Sequence, residues 1–296
     1  MDATKYEPST TGSVMYYLPP PDGARAYKNI NDRHDHNYIA NWQKVTVENL
    51  RGKEDSAVLD VAGFQYYTRP SKLKDFSNAE DVLNVYYPEV IELIKEFTGA
   101  TKVILFDHTI RRHRPDDPEE SSDKRQPVYN VHCDQTPKSA LARVYRHLPD
   151  DEARQLLQHR FQILNLWRPI SHAAYDWPLG FCDSSTLDPA TDLMEMTLKF
   201  PGGPGETYGV KHNPNHKWKY LRGMTPDECV LFKWCVFCCA APLPVSDVPF
   251  PVRSFDSAKE PDVTTFNAHT GFADDSTPKD APLRESIEMR ALVFYV

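Results

Sequence analysis

His132 and Asp134 stand two residues apart in Val128-Tyr129-Asn130-Val131-His132-Cys133-Asp134-Gln135-Thr136. The β-prone Val128, Tyr129 and Val131 predict a strand there, and in an extended chain residues i and i+2 point to one face. The imidazole and the carboxylate can therefore grip one metal ion while Cys133 points away. A second histidine from a distant strand would complete the 2-His-1-carboxylate face that holds Fe(II) and leaves positions open for chemistry. On its own, His-x-Asp is weak, because a surface His and Asp beside a helix cap look the same. Near the C-terminus, Thr264-Thr265-Phe266-Asn267-Ala268-His269-Thr270 reads as a strand ending in a histidine. Fifteen residues on, Arg284-Glu285-Ser286 opens the final strand. An arginine there can meet a carboxylate with two parallel hydrogen bonds, and a neighbouring hydroxyl adds a third. The order His-x-Asp, long gap, His, Arg-x-Ser is far more specific than any one piece.

Other candidates are weaker. His212 and His216 could serve as the distal ligand, but no Arg-x-Ser opening a further strand follows either. His108 and His113 have no carboxylate at metal spacing on one strand face except Asp107, which points the other way; both read as structural. Cys235-x-x-Cys238-Cys239 resembles half a zinc site without a matching second pair. The six cysteines, at 133, 182, 229, 235, 238 and 239, are not spread like a disulfide framework and read as free thiols in a reducing compartment.

These residues need elements to hold them. Thr136 followed by Pro137 predicts a helix start directly after the His-x-Asp strand, with Leu141, Val144, Tyr145 and Leu148 on its buried side. A second helix is expected near Asp150 to His159. An earlier helical region begins at Ser77 with Glu80 as a capping box and stops at Gly99, with Pro88 splitting or kinking it. Its stripe of Val82, Val85, Tyr86, Val90, Leu93, Ile94 and Phe97 is packing. Lys102 to Ile110 reads as a strand and Arg111 to Gln126 as a charged loop. Ser13 to Leu18, stopped by three prolines, reads as an edge strand, and Val58 to Tyr67 as another short strand. From residue 161 on, short strands broken by Pro and Gly dominate: Phe161 to Trp167, Pro178 to Cys182, Met194 to Phe200, Glu206 to His212, His216 to Leu221, Cys229 to Trp234, Thr264 to His269 and Ile287 to Val296. Many short strands braced by helices predict a mainly β fold with a double-stranded β-helix (jelly-roll) core.

Composition narrows the function classes. A chain of 296 residues can bury a full-sized core. We expect one domain over 1–296, with 1–100 as N-terminal extension and helical support, 101–296 carrying the core, and 235–254 as an atypical insertion. With 34 Lys and Arg against 42 Asp and Glu, the formal charge is −8, a poor match to nucleic acid or anionic membrane. No apolar run reaches the ~18–20 residues that span a bilayer. The N-terminus lacks a signal pattern, and a cytoplasmic protein is expected.

The ordered constellation resembles the Fe(II)/2-oxoglutarate-dependent oxygenases. The blocks Leu164-Asn165-Leu166-Trp167-Arg168-Pro169-Ile170, Trp177-Pro178-Leu179, Cys182-Asp183-Ser184, Gly205-Glu206-Thr207-Tyr208, Asn213-Pro214-Asn215-His216-Lys217-Trp218 and Arg284-Glu285-Ser286-Ile287-Glu288 narrow this. They resemble the mainly fungal hydroxylase/desaturase family that includes the gibberellin desaturase, AsaB, the novofumigatonin endoperoxidase and CmcJ-like proteins. The likeness runs from about residue 100 to the C-terminus and is weaker before it. It implies iron on His132, Asp134 and His269, with 2-oxoglutarate and O₂ as cosubstrates and a small-molecule, secondary-metabolite-like substrate that is hydroxylated, desaturated or otherwise oxidised. Cosubstrate binding falls on Arg284 and Ser286, with Arg290 and Arg168 as further candidates. Arg290 is either a cosubstrate contact or an ion-pair partner near Glu288, and Arg168 either an anchor or a cap on the sheet. A metal-dependent jelly-roll hydrolase or isomerase and a non-catalytic binding protein are the competing classes, and Arg284 argues against the first. The stretch 235–254 departs from the family, either as a substrate lid or as a retained intron.

Overall fold

The computed structural model describes residues 6–32, 34–117, 125–134, 136–235 and 263–296. In chain order the strands of the first half are β1 (Ser9–Leu18), β2 (Ala26–Asn29), β3 (Ile39–Asn49), β4 (Phe64–Thr68), β5 (Lys102–Arg112) and β6 (His132–Cys133). Those of the second half are β7 (Phe161–Pro169), β8 (Leu179–Cys182), β9 (Leu193–Phe200), β10 (Gly203–Val210) and β11 (Trp218–Tyr220), then β12 (Glu228–Cys235), β13 (His269–Gly271), β14 (Ala273–Asp274) and β15 (Glu285–Phe294). The helices are α1 (Leu59–Ala62), α2 (Ala79–Asp81), α3 (Tyr87–Thr98), α4 (Pro137–His147), α5 (Asp150–Leu156) and α6 (Pro189–Asp192).

The strands form two sheets. One has ten strands in the order β14-β1-β3-β11-β8-β13-β6-β10-β9-β2, the other five in the order β4-β12-β7-β15-β5. Between them lie Phe64, Tyr66, Trp167, Phe181, Val230 and Phe232, drawn from both sheets, which makes the jelly-roll core.

Strand alternation decides what each face of the five-stranded sheet does. On one face Leu164, Leu166, Ile287, Met289 and Ala291 pack against Val82, Tyr86, Val90 and Ile94 of the α2–α3 region. On the other, the cross-strand sets are Arg111, Ser286 and Pro169; Thr109, Glu288, Trp167 and Val230; and Asp107, Arg290, Asn165 and Phe232. Directly paired residues share a face, so this face presents a polar patch to the ten-stranded sheet. Further along it, Ile163, Leu292 and Phe294 are covered by Leu141, Val144, Ala153 and Leu156 of α4 and α5.

Several expectations shift by local chemistry. The helix cap is Asn78, whose side chain accepts from Glu80 N at 2.9 Å, one residue after the expected Ser77. A π turn over Val82–Tyr86 separates α2 from α3, and Pro88 falls in the first turn of α3, where it needs no donor. Gly99 ends α3 in the left-handed region, φ 72°. Val58 to Tyr67 is not one strand: Gly63 at φ 82° turns α1 into β4. Thr264 to Ala268 is not ladder either. Its approach is tied down by Asn267, whose Nδ2 donates to the carbonyls of Ala62 and Cys182, both at 3.1 Å. Residues 1–100 do more than support: β1 is no edge strand but lies between β14 and β3, paired with β3 over its whole length. Arg111 and Arg112, expected in a loop, continue β5. Apart from Cys235, the stretch 235–254 lies outside the described residues, as do Cys238 and Cys239. No helix of the described residues is long and apolar enough to cross a membrane.

Candidate metal centre

β6 and β13 are neighbours, and His132 and His269 are direct cross-strand partners. Their rings lie 4.5 Å apart at the centroids. Alternation sends Val131 and Cys133 to the opposite side, into a cluster with Val14, Val47, Val210 and Trp218. Asp134, just past β6, closes the group. Its Oδ1 is 3.4 Å from His132 Nε2 and its Oδ2 3.5 Å from His269 Nε2. All three donor atoms lie within 4.8 Å of one another.

Each imidazole is held by its other nitrogen. His132 Nδ1 is 2.8 Å from the Asn130 carbonyl, and His269 Nδ1 is 3.2 Å from that of Asn267. A carbonyl can only accept, so each Nδ1 carries the proton and each Nε2 keeps its lone pair for a metal. Asn165 Nδ2 donates to Asp134 Oδ2 at 3.2 Å and fixes the carboxylate. Phe232 and Phe181 flank His269 at 4.7 and 6.3 Å between centroids. Burial holds His269 below the ordinary histidine range and therefore neutral. Burial alone would raise Asp134, but the two histidines outweigh it and keep the carboxyl ionised. Two imidazoles held by their Nδ1 atoms and a carboxylate, pre-oriented around one point, fit a divalent iron.

On the facing sheet, Arg284 is 2% and Ser286 1% exposed. Arg284 Nη1 donates to the Trp177 carbonyl at 2.5 Å, and its backbone N donates to Asp176 Oδ2 at 2.9 Å. Trp177 sits at φ 44°, a conformation rare for a tryptophan, which aims that carbonyl at the guanidinium. Arg284 Nε and Ser286 Oγ are buried without a hydrogen-bond partner among the described residues. Burial and the nearby Arg111 cation push Arg284 down to about 9. A buried guanidinium and hydroxyl with unmet donors fit an incoming carboxylate. A methyl group at Gly271 would lie 3.2 Å from Arg284 Nη1 and 3.0 Å from the Val128 carbonyl, so glycine lets β13 approach this pocket.

The remaining sequence candidates separate. Arg290 shares the inner face but is tied to Asp107 at 2.9 Å and Glu288 at 2.5 Å, which matches the ion-pair alternative. Arg168 lies on the opposite face of β7. It donates to Tyr86 Oη at 3.2 Å and to the carbonyls of Arg69 and Pro226, both at 2.7 Å, as a cap on the sheet would. The structure does not bring it to the cosubstrate pocket, because its neighbour Trp167 takes the inner position. His216 is spent on Asp192 Oδ2 at 3.1 Å and Tyr16 Oη at 3.0 Å. His113 pairs with Asp176 at 2.6 Å and His108 with Tyr87 Oη at 3.0 Å. Sequence reasoning missed Asn165, which holds Asp134. An amide between Leu164 and Leu166 in a central strand was the available signal.

A family described as "Oxidoreductase/YMDC permease-like domain" matches residues 14–239 and 244–294. The hydroxylase/desaturase efuI of Hormonema carpetanum is 30% identical, the alignment covering 100% of this chain and 98% of that one. The Fe(II)/2-oxoglutarate-dependent dioxygenase nvfI of Aspergillus novofumigatus is 29% identical over 96% of this chain and 92% of its own. The solved structure of the iron and alpha-ketoglutarate-dependent endoperoxidase NvfI superposes with a TM-score of 0.77 at 27% identity, covering 97% of this chain and 98% of that one. The chain belongs to the family of Fe(II)/2-oxoglutarate-dependent hydroxylases and desaturases that these fungal proteins represent.

Proposed function

We propose that this chain is an Fe(II)/2-oxoglutarate-dependent oxygenase of a small, secondary-metabolite-like molecule. It acts as a single domain over residues 1–296. The observation that carries the proposal is the pairing of two features across the sheets: three converging metal donors on one, and an orphaned Arg284 Nε and Ser286 Oγ on the other. In this reading His132, Asp134 and His269 hold the iron and Arg284 with Ser286 receives the far carboxylate of 2-oxoglutarate. Bound there, the iron and 2-oxoglutarate would supply oxidation of a substrate C–H bond by O₂, with succinate and CO₂ as the co-products.

The chain's own work is orientation and charge. The Asn130 and Asn267 carbonyls keep both imidazoles in the metal-binding tautomer. Asn165 holds the carboxylate, and Phe181 and Phe232 keep water from the His269 side. Arg290, bound to Glu288 and Asp107, acts as an ion-pair strut beside the site. The orphaned Arg284 argues against a jelly-roll hydrolase or isomerase, and the likeness to Fe(II)/2-oxoglutarate-dependent dioxygenases supports the oxygenase over a binding protein. A cytoplasmic location is supported by the buried free thiols of Cys182 and Cys229. The net negative charge supports a small-molecule partner over nucleic acid or membrane.

The test is anaerobic addition of Fe(II) and 2-oxoglutarate. We expect a visible metal-to-ligand charge-transfer band that requires both. Its absence, with folded protein, would overturn the proposal.

A further inference from the structure

Two cations on the inner face of the five-stranded sheet have no carboxylate of their own. Arg290 has Asp107 and Glu288. Neither the Arg111 side chain nor that of Arg284 forms an ion pair with any described residue. Arg111 donates through Nη1 to a neutral acceptor, the Gln126 carbonyl, at 3.0 Å. Its Cα partner across the ladder is Ser286. Direct partners in antiparallel strands carry their Cβ atoms about 5 Å apart on one face. Arg111 therefore rises beside the orphaned hydroxyl of Ser286 and close to Arg284.

Two adjacent, half- to fully buried guanidiniums repel each other in a medium of low dielectric constant, and burial already lowers the proton affinity of both. Glu288 offsets part of that repulsion for both cations, and an anion shared between the two guanidiniums would relieve the rest. We propose that Arg111 is a second guanidinium of the pocket that takes the far carboxylate of 2-oxoglutarate, completing a three-group anchor with Arg284 and Ser286. This rests on the oxygenase reading of the site. It differs from the Arg-x-Ser pattern in drawing a cation from β5, far away in sequence.

The experiment titrates anaerobic Fe(II) protein with 2-oxoglutarate and with 2-oxopentanoate, which has the same chelating end but no far carboxylate, reading the charge-transfer band. Arg111→Gln should weaken 2-oxoglutarate by roughly ten- to a hundredfold, the size of one charge-assisted hydrogen bond, and leave 2-oxopentanoate unchanged. Arg111→Lys, which keeps the charge but loses the planar fork, should fall between the two and serves if the glutamine variant does not fold. Unchanged 2-oxoglutarate affinity in both variants would overturn the inference, as would equal weakening of the two ligands. The second result would place Arg111 at the chelating end. If wild-type protein gives no band with 2-oxoglutarate, the site reading itself has failed, and this inference with it.

Discussion

At the scale of single residues, the site divides into groups whose removal should cost function and groups whose removal should cost the fold. His132→Ala, Asp134→Ala and His269→Ala each delete one converging donor while leaving the sheets intact. We expect each to lose stoichiometric iron on metal analysis and to keep a wild-type circular dichroism spectrum. His216→Ala should keep its iron, because His216 is spent on Asp192 and Tyr16. The reverse pattern would mean the distal ligand is misassigned. Arg284 and Arg168 make the second contrast. Arg284→Gln should raise the 2-oxoglutarate concentration needed for half-saturation at least tenfold, since a charge-assisted contact contributes ~1.5–3 kcal/mol. Arg168→Met should leave that concentration alone and lower stability by ~2–4 kcal/mol, because it strips donors from the buried carbonyls of Arg69 and Pro226. A urea titration beside the binding curve separates the two. The convergence of His132, Asp134 and His269 was legible because the proposed chemistry needs residue types that chance rarely puts in that order. Arg168 and Arg290 were ambiguous because a lone arginine says nothing of which strand face it occupies.

At the scale of elements, the ladder register carries the information that sequence spacing lacks. β7 illustrates this: Leu164, Leu166 and Arg168 face the α3 side, Asn165 and Trp167 the iron side, and the run is apolar enough that its two faces look alike in sequence. The start of helix α4 was readable to the residue, because Thr136 accepts from Ser139 N and Pro137 follows it, a purely local signal. β13 was not, because a side chain, Asn267, replaces the ladder just before it. The link between β1 and β11 yields a pH prediction. Tyr16 Oη lies 3.0 Å from His216 Nδ1 and accepts from Trp218 Nε1 at 2.9 Å, while His216 Nε2 meets Asp192. Burial holds His216 below its ordinary value of 6.5 in the folded protein. The unfolded chain therefore takes up the proton first. Stability from this group is complete above about pH 6.5 and is lost as pH falls through the folded value. Unfolding midpoints measured from pH 8 to 5 should decline below 6.5. His216→Gln should decline less, with His108, His147 and His269, also lowered by burial, supplying remaining slope. Parallel curves for the two proteins would remove His216 from this role.

At the scale of the whole molecule, the unexpected feature is how far the N-terminal strands enter the core. Read as sequence, residues 1–45 were polar and irregular, and 1–100 passed for an extension with helical support. Yet β1 and β3 stand between β14 and β11. They bury Val14, Met15, Tyr16, Tyr17 and Val47 almost completely. β1 also braces the iron strand: Met15 N donates to the Tyr129 carbonyl at 3.3 Å, and Val131 N donates to the Met15 carbonyl at 2.8 Å. Tyr17 Oη accepts from the Asn130 side chain, and the Asn130 carbonyl holds His132. Each of those five side chains contributes ~1.5–3 kcal/mol by burial, so their joint loss rivals the ~5–15 kcal/mol by which a domain is stable at all. A chain beginning at residue 50 should therefore lose its cooperative unfolding transition and bind no iron, although every proposed ligand remains. Tyr17→Phe is the milder test of the same path. It keeps the ring in the core but removes the Asn130 contact, so it should weaken Fe(II) binding severalfold with less than about 1.5 kcal/mol of lost stability. A truncated chain that melts sharply and fills with iron would show that the first two long strands are an accessory layer after all.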